Sequence, residues 1–330
     1  MSCSTALLRA LAPGEPVSGE ALGAVLGISR AAVWKAVQRL RALGLEIEAQ
    51  RGTGYCLAQP LELLDAARIR AALPASARAR IGRLEVLGET DSTNARVLAA
   101  AQPPGELAVC LAEYQSAGRG RRGRRWLAPP GGGLCLSVGG RMPAAPADYA
   151  VLPTAVGLAC AAALEAAGVP GIELKWPNDL LLEGRKLGGV LIELRGEAQG
   201  PSTVAVGLGI NFRLGVRQRG EIEAGGGLPP AELEAAMAGA VPGRNRLAAA
   251  LVAAVADCLA AVPAELGADL LEAWRQRDAL RDRRVCVEHA GVPCSGIARG
   301  LDAGGALVLE TGDGTRLRVT AGEASLRSAG

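Results

Sequence analysis

The chain has 330 residues but only one histidine, His289, and one phenylalanine. With a single histidine, any Ser-His-Asp or Cys-His arrangement would have to run through His289. That residue sits beside Glu288 in a late strand-like stretch and reads as an edge position. Eight cysteines are present, at 3, 56, 110, 135, 160, 258, 286 and 294, yet none forms a C-x-x-C pair or a Cys/His cluster with metal spacing. Reduced thiols and no protein-held metal are the plain expectation. No charged-then-apolar signal opens the chain, and no uninterrupted apolar run reads as long enough to cross a bilayer. A cytoplasmic setting without membrane contact is therefore expected. The net charge of +3 is mild, so any strongly basic surface must be local. Aromatic residues are scarce as well, and the apolar half of the chain is mostly Ala, Leu and Val. That suffices for a sizeable core spread over two or three domains.

Three segments separate by pattern. In residues 1–62, "SGEALGAVLG" predicts a small amphipathic helix with Ser18 as its N-cap. After the break at Gly27-Ile28-Ser29, Ser29 can cap "RAAVWKAVQRLRAL", which sets Ala32, Val33, Val37, Leu40 and Leu43 broadly on one face. The other face carries Arg30, Lys35, Arg39 and Arg41, with no acid between Ser29 and Leu45. "LEIEAQRGTGYCL" then alternates like a hairpin around Arg51-Gly52-Thr53-Gly54. That order predicts a winged helix-turn-helix, although a small packing domain with a solvated basic face remains the alternative. Residues 63–278 read as α/β: strands "RLEVLGE", "AVCLAEY", "GLCLSVGG", "GIELKW", "DLLLEG", "RKLGGVLIEL" and "STVAVGLGINF", a long helix over about 152–167, and helix again over 231–277. From 279 to 330 short strands alternate with Gly turns, as in a small β-barrel. The fold class expected is therefore multidomain α+β.

The segment "AGRGRRGRRW", Ala117–Trp126, packs five arginines between Arg119 and Arg125. Gly118, Gly120 and Gly123 complete a G-x-G-x-x-G pattern. A dinucleotide-binding fingerprint needs its third glycine to open a helix and an acid about 20 residues on. Here the loop runs into Trp126-Leu-Ala-Pro-Pro-Gly-Gly-Gly, and no acid falls between Arg125 and Asp148. No G-x-x-x-x-G-K-[ST] motif is present either. What remains is a loop whose backbone N–H groups and guanidinium forks can wrap a carboxylate or a phosphate.

Its companions narrow the choice. "ETDSTNARVL", "EYQSAGRGRRGRRW", "KWPNDLLLEGRKLGGVLIE" and "GLGINF" occur in that order. Together they resemble the biotin–protein ligases, and the leading winged helix resembles the bifunctional type that is biotin ligase and biotin operon repressor in one chain. The resemblance covers nearly the whole length, ending in "GGALVLE" and "GEASLRS". It implies a central domain of the biotin/lipoate ligase type, a C-terminal SH3-like β domain, and a two-step reaction. Biotin and ATP, the latter with Mg²⁺, give biotinyl-5′-AMP. Biotin then passes to a lysine of the biotin carrier domain of acetyl-CoA carboxylase.

Carried over position by position, the resemblance implies that Ser92, Thr93, Asn94 and Gln115 hold biotin, with Ser92 or Thr93 also an N-cap. Arg119, Gly120 and Arg121 would meet the biotin carboxylate and the phosphates, and Lys186 would be the main catalytic cation, helped by Arg119 and Arg121. Gly118, Arg121, Trp126, Lys186 and Asn211 would line the adenylate. Arg122, Arg124 and Arg125 are expected to be solvated or auxiliary. Asp179 reads as a Mg²⁺ or ligand helper or as a turn former, and Glu113 and Lys175 are weaker candidates. "RLGVRQRGEIEAGGGLPP" does not match the family's adenine-covering loop, which leaves the adenine contacts open. The resemblance further implies operator binding through Ser29, Arg30, Ala31 and Lys35, with the wing at Arg51, and homodimerisation on adenylate binding. Trp34 reads equally as core and stays unassigned. A biotin sensor without catalysis, a ligase without regulation and a lipoate-acting relative are the competing readings.

Overall fold

The computed structural model describes residues 3–100, 102–143, 145–196, 200–237, 241–289, 292–322 and 324–326. Part of "GEASLRS", at 323, 327 and 328, lies outside the described residues.

Two serines start the helices expected of them. Ser18 Oγ accepts from Ala21 N at 3.0 Å to open α2 (Gly19–Leu26), which follows α1 (Cys3–Leu11). Gly27 ends α2 in the left-handed region, φ 65°, where a side chain would be strained. Ser29 Oγ accepts from Ala32 N at 3.3 Å to open α3 (Arg30–Ala42). Val33, Ala36, Val37 and Leu40 of α3 are buried against Leu7, Leu8 and Leu11 of α1 and Leu22 of α2. Ala32 and Leu43, also expected on that face, are half-buried at its margin. The wing is the antiparallel pair β1 (Ile47–Gln50) and β2 (Gly54–Leu57). Helix α1 was not expected from the sequence.

A connector with α4 (Ala66–Ala72) and α5 (Ala75–Arg80) leads into β3 (Ile81–Leu87), α6 (Thr93–Ala99), β4 (Leu107–Ala112) and β5 (Gly133–Met142). Next come α7 (Leu152–Ala166), β6 (Ile172–Lys175), β7 (Asp179–Leu182), β8 (Arg185–Gly196) and β9 (Ser202–Asn211). Helices α8 (Val216–Ala224), α9 (Leu233–Ala236), α10 (Arg244–Ala260) and α11 (Ala268–Arg277) complete the central part. The strands form one mixed sheet of order β3-β4-β5-β9-β8-β7-β6, parallel only at β3–β4. The stretch Pro146–Ala166, although interrupted by Asp148 and Glu165, is long and apolar enough by length and composition to cross a membrane. Most of it is buried in the protein's own core, where α7 packs with α10 on the sheet.

Strand alternation decides where the site can be. Leu134, Leu136 and Val138 of β5 and Val204, Val206, Leu208 and Ile210 of β9 point into the core under α7 and α10. The opposite face is covered in part by α6 and carries small residues: Ser137 on β5, and Ala205, Gly207 and Gly209 on β9. Small side chains there leave a hollow on the sheet.

The C-terminal strands β10 (Arg284–His289), β11 (Val292–Leu301), β12 (Leu307–Glu310), β13 (Arg316–Val319) and β14 (Ala324–Leu326) form an antiparallel sheet of order β13-β12-β11-β10-β14. Among the described residues β13 and β14 are not joined, so the small barrel is open on that side. Trp176 Nε1 donates to Gly305 O at 3.1 Å and anchors this domain to the central sheet.

Candidate active site

The hollow is a cleft of about 420 Å³. At one end Ser92 caps α6, its Oγ accepting from Ala95 N at 3.4 Å, so its capping role holds in the structure. Capping fixes the next two residues. Thr93 donates through N and Oγ1 to Gln115 Oε1 at 2.8 and 3.1 Å, and Ser137 Oγ lies 2.7 Å from both Thr93 Oγ1 and Asn94 Oδ1. Asn94 Nδ2 donates to Leu191 O at 3.1 Å and Glu193 Oε2 at 2.8 Å. Ser92, Thr93, Asn94 and Gln115 are thus one pre-ordered polar wall. Beneath it burial pushes the Cys135 thiol up to about 11, so that group stays neutral.

The arginine loop closes on itself. Trp126 N donates to Gly118 O at 2.9 Å and Gly120 N to Arg124 O at 2.7 Å. The Trp126 ring lies where a side chain on Gly209 would stand, as Asn94 fills the space over Gly207. What these two glycines admit is the site's own side chains. Arg119 Nη1 is 3.4 Å from Glu193 Oε1. Arg122, half-exposed, pairs with Glu288 Oε2 of the C-terminal domain at 2.6 Å, and Arg121, Arg122, Arg124 and Arg125 all line the cleft.

At the far end a register shift between β7 and β8 brings Lys186 Nζ to 2.6 Å from Asp179 Oδ1, while the buried Lys175 Nζ is 3.7 Å from Asp179 Oδ2. Gly188 is needed here, because a side chain would meet Gly209 O across the ladder. Asn211 Nδ2 donates to Lys186 O at 3.2 Å and Ala231 O at 3.1 Å. Its Oδ1 is buried with no hydrogen-bond partner among the described residues. The unassigned stretch after Phe212 forms α8, and Glu221, Ile222 and Leu228 close the cleft on that side.

All the residues expected to hold biotin and nucleotide therefore line or border one cleft. Glu113 does not. It is buried in an ion pair with Arg244 at 2.9 Å and accepts from Leu64 N at 2.5 Å, a structural staple. Ser137, Glu193 and Glu288 were missed. Glu193 is the one acid in the otherwise apolar run "GGVLIEL", the only signal that pointed to it.

On α3, Arg30, Ala31, Trp34 and Lys35 are exposed, as are Ser29 before it and Arg51 in the wing. Trp34 is 54% exposed and so not core. Two of the four cations on that helix are already partnered, Arg41 half-buried and Arg39 while still exposed. Arg41 donates through Nε and Nη2 to Ile47 O at 2.9 and 2.6 Å, and Arg39 reaches Glu89 at 3.0 Å, just before the polar wall. The last carbonyls of α3 are met by α8: Arg217 Nη1 donates to Ala42 O at 2.8 Å and Gln218 Nε2 to Leu43 O at 2.7 Å.

Comparison with known proteins agrees with this architecture. Residues 4–56 match the model described as HTH domain, 87–211 the Biotin/lipoate A/B protein ligase family, and 283–327 the Biotin protein ligase C terminal domain. The bifunctional ligase/repressor BirA of Salmonella typhimurium is 39% identical over 326 residues, 98% of this chain and 97% of that protein. The biotin–[acetyl-CoA-carboxylase] ligase of Paracoccus denitrificans is 37% identical over 231 residues, 68% of this chain and 92% of its own length. Among solved structures, the biotin protein ligase of Aquifex aeolicus in complex with biotin and ATP superposes with a TM-score of 0.61 at 25% identity, over 76% of this chain and 100% of that one.

Proposed function

The chain belongs to the biotin/lipoate A/B protein ligase family, in its bifunctional ligase/repressor form, and from that premise we propose how its residues carry the reaction. The substrates are biotin and ATP. A biotin carboxylate oxygen attacks the α-phosphorus, the bond from that phosphorus to the bridging oxygen breaks, and pyrophosphate leaves. A carrier lysine amine then attacks the biotinyl carbonyl and AMP leaves.

The observation that carries this assignment is the cluster of cations at one end of a cleft whose other end is a neutral polar wall. Joining two anions calls for positive charge placed where charge builds up in the transition state. The wall of Ser92, Thr93, Asn94 and Gln115 takes the polar ring system of biotin. Arg119 and Arg121 take the carboxylate and phosphates as the loop folds down, with Trp126 packing over the product and shielding it from water. Lys186 stands at the acyl–phosphoryl junction, and Asp179 fixes its Nζ. The open Oδ1 of Asn211 offers an acceptor to a donor on the nucleotide. Asp179 already serves two lysines, and no cluster of three metal-ligating side chains exists among the described residues. On this reading Mg²⁺ arrives on the triphosphate as part of the nucleotide substrate.

The winged helix gives the chain its DNA-binding function. Its outer face of Ser29, Arg30, Ala31 and Lys35, with Arg51 in the wing, meets the operator. Adenylate in the cleft promotes a homodimer that spans two half-sites, so that biotin supply sets repression. Single-turnover reaction with biotin, Mg²⁺ and α-labelled ATP tests the ligase reading. Labelled adenylate should accumulate on the protein and discharge when a biotin carrier domain is added. Biotin binding without adenylate would leave only a sensor.

A further inference from the structure

We propose that Trp34 is the apolar reading residue of α3, lying against thymine 5-methyl groups in the major groove of duplex DNA; this rests on the DNA-binding reading above. The chain has four tryptophans. Trp176 and Trp274 are 2% exposed, and Trp126 is half-buried in the cleft. Trp34 alone stands out, 54% exposed on a helix whose opposite face is fully buried.

Its surroundings say what should cover it. Arg30 lies one turn before it and Lys35 beside it, and both are exposed with Ala31 on the same face. No acid occurs on α3. Arg39, still exposed, is offset by Glu89, and Arg41 is bound to the wing, so the outward charge with no acid against it lies at the N-terminal half of the helix, around the indole. An apolar protein partner would want a broad apolar patch, and here a single ring is flanked by two cations. A polyanion with apolar points at its groove floor fits instead. Phosphates meet Arg30 and Lys35, and the thymine methyl is the one apolar group the major-groove edge displays.

The test selects duplexes from a random pool with the full chain, biotin and ATP present, using wild type, Trp34→Phe and Trp34→Ala. Each thymine of the selected duplex is then replaced by deoxyuridine, which removes only the methyl. Wild type should lose about fourfold in affinity per contacted methyl. Trp34→Phe should keep the preference. Trp34→Ala should bind more weakly and be indifferent to the same replacement, with unchanged thermal unfolding as the sign that α3 is intact. The proposal is overturned if wild type ignores every thymine-to-uridine replacement, or if Trp34→Ala selects the same duplexes with the same affinity. If wild type selects no duplex at all, the DNA-binding reading itself fails and takes the proposal with it.

Discussion

Gly209→Ala is the substitution for which the structure dictates where strain must go. Gly209 is held in the middle of the sheet, paired with Cys135 on β5 and with Gly189 on β8. Its backbone therefore cannot retreat. A Cβ there falls inside the Trp126 indole, and Trp126 belongs to a half-exposed loop tied by its own N–H to Gly118 O. The loop is the softer partner. Overpacking costs about 1–3 kcal/mol. Charged to the closed position of the loop, that becomes a loss of about 5- to 150-fold in the rate of adenylate formation. Single-turnover formation of labelled adenylate is the assay, run beside thermal unfolding, which should scarcely move. Trp126→Leu in the same background separates the cause. If the clash carries the loss, the double variant is no slower than Trp126→Leu alone. Adenylation within twofold of wild type, or a fall in Tm with no change in rate, would refute the reasoning.

Lys186→Met should slow adenylate formation by about 10²–10³ while biotin still binds, because the polar wall is untouched; calorimetric titration with biotin alone checks the second half. Arg244→Met leaves the Glu113 carboxylate buried without its partner and should cost about 3–5 kcal/mol, which urea unfolding would read, and Glu113→Gln added to it should recover much of the loss. Burial raises the Cys110 thiol to about 12 and those of Cys135 and Cys258 to about 11, from an ordinary 9.0. The unfolded chain then loses these protons first, so stability should fall as pH rises from about 9 through those values. Alkylation of Cys110 and Cys135, both buried, should need denaturant at pH 8, and rapid labelling of the native protein at these two would contradict their burial.

Local signals were legible. The capping serines Ser18 and Ser29 and the break at Gly27 placed α2 and α3, and four motifs placed the wall, the loop, Lys186 and Asn211. What could not be read is what depends on distant partners. Helix α8 has one buried residue, Gln218, and little apolar periodicity. Its sequence looks like a Gly-rich loop, yet α8 is anchored by the carbonyls of α3. Arg39 and Arg41 look unpartnered by spacing alone, and only the positions of Glu89 and Ile47 show what each one holds. Glu113 and Arg244 lie far apart in the chain, and neither marks the other as a mate. Helix α1 is nine residues long, too short for its period to stand out.

The seat of α3 on α8 also has a meaning in time. Gln218 and the Leu43 carbonyl it caps are 175 residues apart. At about 5–20 residues per second, synthesis separates them by roughly 10–35 s. The winged helix has its own core of Leu7, Leu11, Leu22, Val37 and Leu40 and is complete on the nascent chain well before its dock exists. For that interval the module is tethered but unseated, and it settles on α8 only once that helix has been made.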